Sequence, residues 1–511
     1  MSVRRITLLS AAIGVLAAAV ALAVAEAVAG VMVLPASSPI FAVGSLVIDI
    51  VPGWFKSFVI ALFGTGDKIA LFVALGLLVF LLAVGIGLLE YRRPPLGVIA
   101  LVGVGVITLV AVATRAEANG LWAAPALLGI VGGVIALRVG MDRLREWVAA
   151  PPPASLSRRR FLIMMGATAA GALVVGLGAR VINAGTTAVN AVRESLTLPK
   201  PTTPAPAIAA GAELDIPGIT PLISKNATFY RIDTALQVPV VDASTWKLKV
   251  TGMVEKEFEI DFAELLALPL VEHTVTLMCV SNEVGGGLVG NATWLGYPIR
   301  DILARAKPLA GADMVLSTSI DGFTAGSPLD VLLEPDRESL LAVGMNGVPL
   351  PIEHGFPVRL VVPGLYGYVS ATKWVTELKV TTFAKDMGYW TPRGWSALGP
   401  VKTASRIDVP TNGAQVAAGM VAIAGVAWAQ HRGIEGVELR IDGGAWQPAT
   451  LAAAISADTW RQWVLHWQAT SGNHTIEVRA TDADGATQRE LRLPPAPDGS
   501  EGYHTITVNV A

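Results

Sequence analysis

The chain has 511 residues, 53% of them hydrophobic and 15% charged, with a mean hydropathy of +0.56 and a formal net charge of −2. It is too apolar for an ordinary soluble protein, and its charge balance, with no basic surface in view, excludes a nucleic-acid partner. A single cysteine, Cys279, excludes an intramolecular disulfide, a multi-cysteine iron–sulfur cluster and a CxxCH haem attachment.

The hydropathy is concentrated in residues 1–185. A bilayer core is crossed by about 20 apolar residues. Runs at 6–34, 69–89, 96–113 and 121–139 meet that length, so residues 1–156 read as a transmembrane region of four spans. Residues 157–185 hold a fifth run after Ser157-Arg158-Arg159-Arg160-Phe161-Leu162. That motif resembles an uncleaved twin-arginine export signal; the plainer reading is a basic flank of a span. Residues 39–63 are apolar but interrupted by Asp49, Pro52, Gly53 and Lys56, which suits an interfacial or re-entrant segment, with an extra span as the alternative. With the N-terminus in the cytoplasm, Arg4/Arg5, Arg92/Arg93 and the basic stretch 138–160 all fall inside. Five spans then put everything after residue 185 outside the cytoplasm, as part of a multi-pass protein of the cell membrane. All six histidines (273, 354, 431, 466, 474 and 504) lie beyond the spans, so the membrane part has no bis-histidine haem.

Residues 186–225, with Pro199-Lys-Pro-Thr-Thr-Pro-Ala-Pro206 at their centre, have the composition of a linker. Residues 226–400 then mix short strand patterns (246–252, 258–262, 358–362, 374–380) with amphipathic helical ones (263–268, 297–306), which predicts an α+β domain. In residues 401–511, strand patterns recur at short spacing, with Asp442-Gly443 as a hairpin signal. That predicts an immunoglobulin-like β-sandwich. Cys279 stands in Met-Cys279-Val-Ser-Asn282-Glu-Val-Gly-Gly-Gly287, a polar, glycine-rich stretch after an apolar run. By itself it is either a buried small hydrophobe or a soft thiolate, as ligand or nucleophile. Arg359 and His354, each taken alone, would read as a surface ion pair and a satisfied loop histidine.

Taken together the motifs change that reading. Asn226-Ala-Thr-Phe229-Tyr230, the Cys279 segment, Asn291-Ala-Thr-Trp294-Leu-Gly-Tyr-Pro-Ile, Asn346-Gly-Val-Pro-Leu-Pro-Ile-Glu-His354-Gly-Phe-Pro-Val-Arg359 and Tyr366-Gly-Tyr-Val-Ser-Ala-Thr-Lys373-Trp374 occur in an order and spacing that resemble the sulfite oxidase family of molybdopterin-dependent oxidoreductases, which includes bacterial sulfoxide-reducing catalytic subunits. Gly425-Val-Ala-Trp428, Val437-Glu-Leu-Arg-Ile-Asp-Gly-Gly and Arg479-Ala-Thr-Asp482-Ala-Asp-Gly485 resemble that family's dimerisation domain.

The resemblance implies a molybdenum–molybdopterin cofactor with Cys279 as the protein's thiolate ligand to the metal. It assigns cofactor contacts to Asn226, Phe229, Tyr230, Ser319, His354, Arg359 and Lys373, the basic members suiting a phosphate. It implies oxygen-atom transfer on a small sulfur oxo compound and electron exchange with a separate carrier or membrane partner, since no haem domain is visible. A homodimer is implied in the same way. The chain departs from sulfite oxidases where Phe323 replaces a tyrosine, where Phe229-Tyr-Arg231-Ile-Asp-Thr replaces an Arg-Asn-His motif, and in one extra residue between Pro363 and Lys373. These departures leave the substrate open. The alternative is a membrane-anchored binding or scaffold protein that keeps the fold without the chemistry.

Overall fold

The structure is a computed structural model that describes residues 2–32, 37–52, 67–115, 118–149, 155–181, 192–236 and 238–511, with 55, 58, 59, 62 and 63. It forms two compact units, Met1–Ala191 with Ala235–Val238 and Val192–Thr234 with Pro239–Ala511.

The first unit is helical: α1 (Val3–Val31), α2 (Pro39–Ile50), α3 (Asp67–Arg92), α4 (Leu96–Ala113), α5 (Ala123–Ala149) and α6 (Ser155–Val181). Among the described residues, four helices are long and apolar enough to cross a membrane: α1, α3, α4 and α5. The fifth run is helical too, as α6, but is not one of those four. The apolar stretch at 39–63 contains the short α2; its later residues lie largely outside those described.

Apolar side chains gain little by leaving lipid for one another, so such helices associate through close packing. Gly14 and Gly87 provide it: a side chain on either would meet the other helix's backbone at 2.1 Å, so α1 and α3 touch main chain to main chain. Ile13, Ala17, Ile86, Leu101, Leu137, Met141, Leu144 and Phe161 form the core of the bundle. Glu90 is buried and has a capping role: its carboxylate accepts the Val98 N–H at 2.9 Å in the first turn of α4. Glu26, a carboxylate inside α1 that hydropathy passes over, accepts the Ser38 hydroxyl.

The second unit holds four sheets. In the first, β1 (Lys247–Gly252) lies between β2 (Phe258–Asp261) and β10 (Val375–Thr381), and β5 (Met314–Ser319) and β6 (Thr324–Pro328) continue beyond β10. In the second, β4 (Val289–Pro298) joins β3 (Val271–Met278) to β7 (Leu340–Met345), which also pairs with β8 (Val348–Pro349) and β9 (Arg359–Val361). Short helices α7 (Phe262–Leu266), α8 (Ile299–Ala306), α9 (Leu329–Leu333) and α10 (Gly367–Ser370) complete the α+β part. Helix α7 starts with a capping box, Asp261 accepting the Glu264 N–H while Glu264 accepts that of Asp261.

Residues 404–510 form a sandwich. One sheet runs β11 (Ala404–Val409), β13 (Gly419–Trp428), β17 (Arg461–Ala469), β16 (Thr450–Leu451). The other runs β12 (Ala414–Val416), β19 (His504–Val510), β18 (Gly472–Asp482), β14 (Ile434–Ile441), β15 (Gln447–Pro448). Alternate residues of both sheets, among them Ile423, Leu439, Trp463, Ile476, Val478 and Ile506, fill the space between them. Asp442 and Gly443 have φ of 52° and 69°, as a tight hairpin turn between β14 and β15 requires.

Strand β3, which leads to Cys279, is bonded to the sandwich along its length. Asp458 accepts from His273 at 2.9 Å and from His431 at 3.0 Å, and these bonds hold its carboxyl down at about 2 against the effect of burial. The Thr276 N–H donates to Asp458 O, Gln430 donates to Thr276 O, and the Trp428 indole N–H reaches Met278 Sδ at 3.1 Å.

The segment read as a linker differs from its expectation. From Thr202 onward it is bonded to both domains rather than free of them. Thr202 N–H donates to Leu270 O and Glu272 N–H to Thr203 O on the α+β side. On the sandwich side, Leu214 N–H donates to the Gln462 side chain at 2.6 Å and Trp460 Nε1 to Leu222 O at 2.8 Å. Beyond residue 196 the segment has little regular structure apart from a parallel bridge of Thr203 to Val271, but its backbone groups still find partners.

Candidate active site

Cys279 follows β3 directly and opens a loop that closes on itself before β4. Its N–H donates to Leu288 O at 2.9 Å, Asn282 N–H returns to Cys279 O, and the Asn282 side chain accepts the Leu288 N–H at 2.7 Å. The thiol is buried, and burial pushes its pKa up despite opposing hydrogen bonds from the Ser281 backbone and hydroxyl. The phenol of Tyr230 lies within electrostatic reach of both Cys279 and Arg359. Burial first and Cys279 second hold it well above the ordinary range, against the pull of Arg359. Tyr230 therefore keeps its proton.

Phe229 organises the next layer. Its ring stacks on Tyr230 at 5.2 Å and meets Trp294 and His354 edge-on at 5.8 and 5.6 Å. His354 Nε2 donates to Asn226 O at 3.0 Å, which fixes the tautomer. Burial and the charges of Arg359 and Lys373 lower this imidazole to about 4, so it is neutral at pH 7. The Asn226 amide is itself committed, donating to Met345 O and accepting from Asn346 at 2.7 Å.

Arg359, the first residue of β9, is 5% exposed. Its guanidinium donates to Leu360 O and His354 O and lies 5.0 Å from the Trp294 ring centroid. Among the described residues no carboxylate pairs with it, and burial lowers it from its ordinary 12.5 to about 10. Lys373 donates to Glu353 O and pairs with Asp233 at 2.9 Å. Burial brings it down to about 8 against the support of Asp233, which Arg231 shares at 2.8 Å. Gly355 makes the approach possible. At φ 110° it sits where a side chain would stand 3.0 Å from Arg359 Cβ and 3.1 Å from Lys373 Cβ.

Of the eight residues expected from the sequence, Asn226, Phe229, His354 and Arg359 are joined by direct contacts. Lys373 joins them through the 353–355 turn, and Tyr230 stacks on Phe229 within electrostatic reach of Cys279. Ser319 stands apart. It is buried and faces Val375 across the β5–β10 ladder, two residues beyond Lys373, and among the described residues no hydrogen bond connects it to the other seven. Phe323 packs against Tyr389 at 5.8 Å.

Sequence reasoning passed over Asp233 and Asn346. Asp233 is the carboxylate shared by Lys373 and Arg231, and its signal was the Arg231-Ile-Asp233 charge alternation. Asn346, at φ 50° in an Asn-Gly turn, bonds Thr293, Ser224 and Asn226 with one side chain. The Asn-Gly pair signals a turn, not such a hub.

The residues suit an anionic cofactor with a soft metal. A buried guanidinium without a carboxylate, a second buried cation beside it and one soft thiol make a donor set for a phosphate-bearing dithiolene and its metal.

Residues 235–390 match the oxidoreductase molybdopterin binding domain, and residues 404–478 match the bacterial Ig domain. Mitochondrial sulfite oxidase of Mus musculus is 31% identical over 320 residues, 53% of this chain and 58% of that protein. The Homo sapiens protein is 30% identical over 302 residues, 50% and 55% of the two chains. Nitrate reductase [NADH] 1 of Oryza sativa subsp. japonica is 33% identical over 178 residues, 30% and 19%. The chain thus spans somewhat over half the length of the sulfite oxidases it resembles. Among solved structures, the sulfane dehydrogenase SoxCD from Paracoccus pantotrophus shares the fold, with a TM-score of 0.50 at 22% identity over 57% of this chain and 84% of that one. Residues 235–390 thus form an oxidoreductase molybdopterin-binding domain, and the chain around them is similar to the sulfite oxidases.

Proposed function

We propose that this protein is a membrane-anchored molybdenum–molybdopterin oxidoreductase whose catalytic part works outside the cytoplasm, on a small sulfur oxo compound such as sulfite or a sulfoxide. The observation that carries the reading is the buried Arg359 beside His354 and Lys373, with no carboxylate partner among the described residues, and with Tyr230, stacked on Phe229, within electrostatic reach of the lone thiol. Cys279 is the residue that holds the metal. Arg359 and Lys373 hold the pterin's phosphate, with Asn226, Phe229, Tyr230, His354 and Ser319 around the remainder. Bound there, the cofactor supplies two-electron oxygen-atom transfer.

The chain's own residues set the conditions. Burial raises the Cys279 thiol and favours its protonated form, so binding a metal there would release a proton. Tyr230 presents a phenol that donates at neutral pH. Neutral His354 orients Asn226 without adding charge. Electrons pass to a separate carrier or membrane partner. The side of the membrane rests on the distribution of arginines at 4–5, 92–93 and 138–160 and on the twin-arginine-like Arg158–Arg160.

The test is molybdenum and pterin analysis of the purified protein beside Cys279→Ser, with turnover of sulfite and of several sulfoxides using artificial electron donors and acceptors. Wild-type protein without molybdenum and pterin refutes the proposal. Metal in the wild type and its loss in Cys279→Ser support it.

A further inference from the structure

The loop that carries Cys279 is fastened from outside its own domain. Its internal bonds close its base, at Cys279, Asn282 and Leu288. Its outer part, 282–286, is held by the sandwich at three points. The Ser500 hydroxyl donates to Asn282 O at 2.6 Å, with both residues buried. Arg406 of β11 donates to Gly286 O at 2.9 Å, and Asp408 at 2.7 Å and the Thr220 hydroxyl at 2.7 Å hold its guanidinium in place. The His504 ring, whose Nδ1 accepts the Ile407 N–H, fills the space over Gly285, where a side chain would come within 2.3 Å of it.

We propose that Ser500, Arg406 and His504 are positioning residues for Cys279. On this reading the β-sandwich is part of the catalytic apparatus, because it fixes where the thiol points and limits how often its loop opens. A cleft of about 330 Å³ beside the loop, lined by Glu283, Val284 and residues 492–495, gives the loop room to move once released. Bonds from two separate stretches of the sandwich converge on a ten-residue segment that already closes itself. Domain adhesion does not require that, since β3 alone supplies it through Asp458, Gln430 and Trp428. The inference rests on the proposed role of Cys279, but its test does not need the cofactor.

Cys279 is the chain's one cysteine, so thiol labelling reports on it alone. The rate of alkylation by N-ethylmaleimide is measured by mass spectrometry on the full-length, cofactor-free chain in detergent, well below its melting temperature. Ser500→Ala should speed labelling about fivefold, the change in open population expected from one lost hydrogen bond. Ser500→Thr, which keeps the hydroxyl, should restore the wild-type rate. Val478→Ala, which loosens the sandwich core away from the loop, should leave the rate unchanged while lowering the melting temperature. Equal acceleration by Ser500→Ala and Val478→Ala, or none by Ser500→Ala, overturns the proposal. Molybdenum missing from the wild type would refute the proposed function without altering the labelling result.

Discussion

Replacing Arg359 with methionine separates an anion-binding role from a structural one. Met keeps most of the stem volume and removes the charge. In the cofactor-free chain, burial that lowers the guanidinium from 12.5 to about 10 costs about 3 kcal/mol at neutral pH. Against this stand two hydrogen bonds to carbonyls at 3.2 and 3.3 Å, about 1 kcal/mol each, and the stacking on Trp294, about 1 kcal/mol. The terms nearly cancel, so Arg359→Met should shift the melting temperature of the cofactor-free chain by only a few degrees. With a phosphate present the balance changes, because a charge-assisted bidentate contact of about 3 kcal/mol is lost. Cofactor affinity should then fall on the order of 100-fold. Calorimetry of the cofactor-free chain gives the first quantity; fluorescence of released pterin and metal content give the second. A variant that melts ten or more degrees lower while retaining full pterin would refute the reasoning and make Arg359 a structural residue.

Three further outcomes follow from the same geometry. His354 is held neutral, with a folded value of about 4 against 6.5 when unfolded, so the unfolded chain binds the extra proton first as pH falls. Stability should decline between pH 6.5 and 4 by about 3 kcal/mol from this residue, and His354→Gln should flatten that limb in urea titrations. Asp233→Asn leaves Lys373 as a buried cation without its partner, which should cost about 3 kcal/mol in denaturant unfolding and lower the lysine's pKa further. Gly355→Ala forces a methyl group against Arg359 and Lys373 at a positive φ, and should both destabilise the chain by about 2 kcal/mol and reduce pterin content.

Much of this architecture was legible because it rests on local pattern. The alternation in 246–252 and the amphipathic pattern in 297–306 gave a strand and a helix at nearly the expected positions, although 297–298 end the preceding strand. The grouping of Asn226, Phe229, His354 and Arg359 was legible only through shared motifs. No spacing rule says that a 3₁₀ turn at 226–228 meets a histidine 128 residues away. At Asp233 the alternation signals the pairing with Arg231 but not the one with Lys373, 140 residues away, which depends on the fold. The linker was misread for a related reason. Composition reports whether a segment makes its own secondary structure, not whether neighbouring domains supply partners for its backbone.

That segment has a consequence for how the protein denatures. Residues 202–203 are bonded to the α+β sheet, and 214–222 to the sandwich and to the Asn291 side chain of β4. A strap of about 20 residues fixed to both bodies allows neither to unfold without stripping contacts from the other. The catalytic and immunoglobulin-like parts should therefore melt in one cooperative transition. Proteolysis within 204–212 should lower the temperature of that transition without splitting it, because the bonds from β3 to Asp458, Gln430 and Trp428 remain.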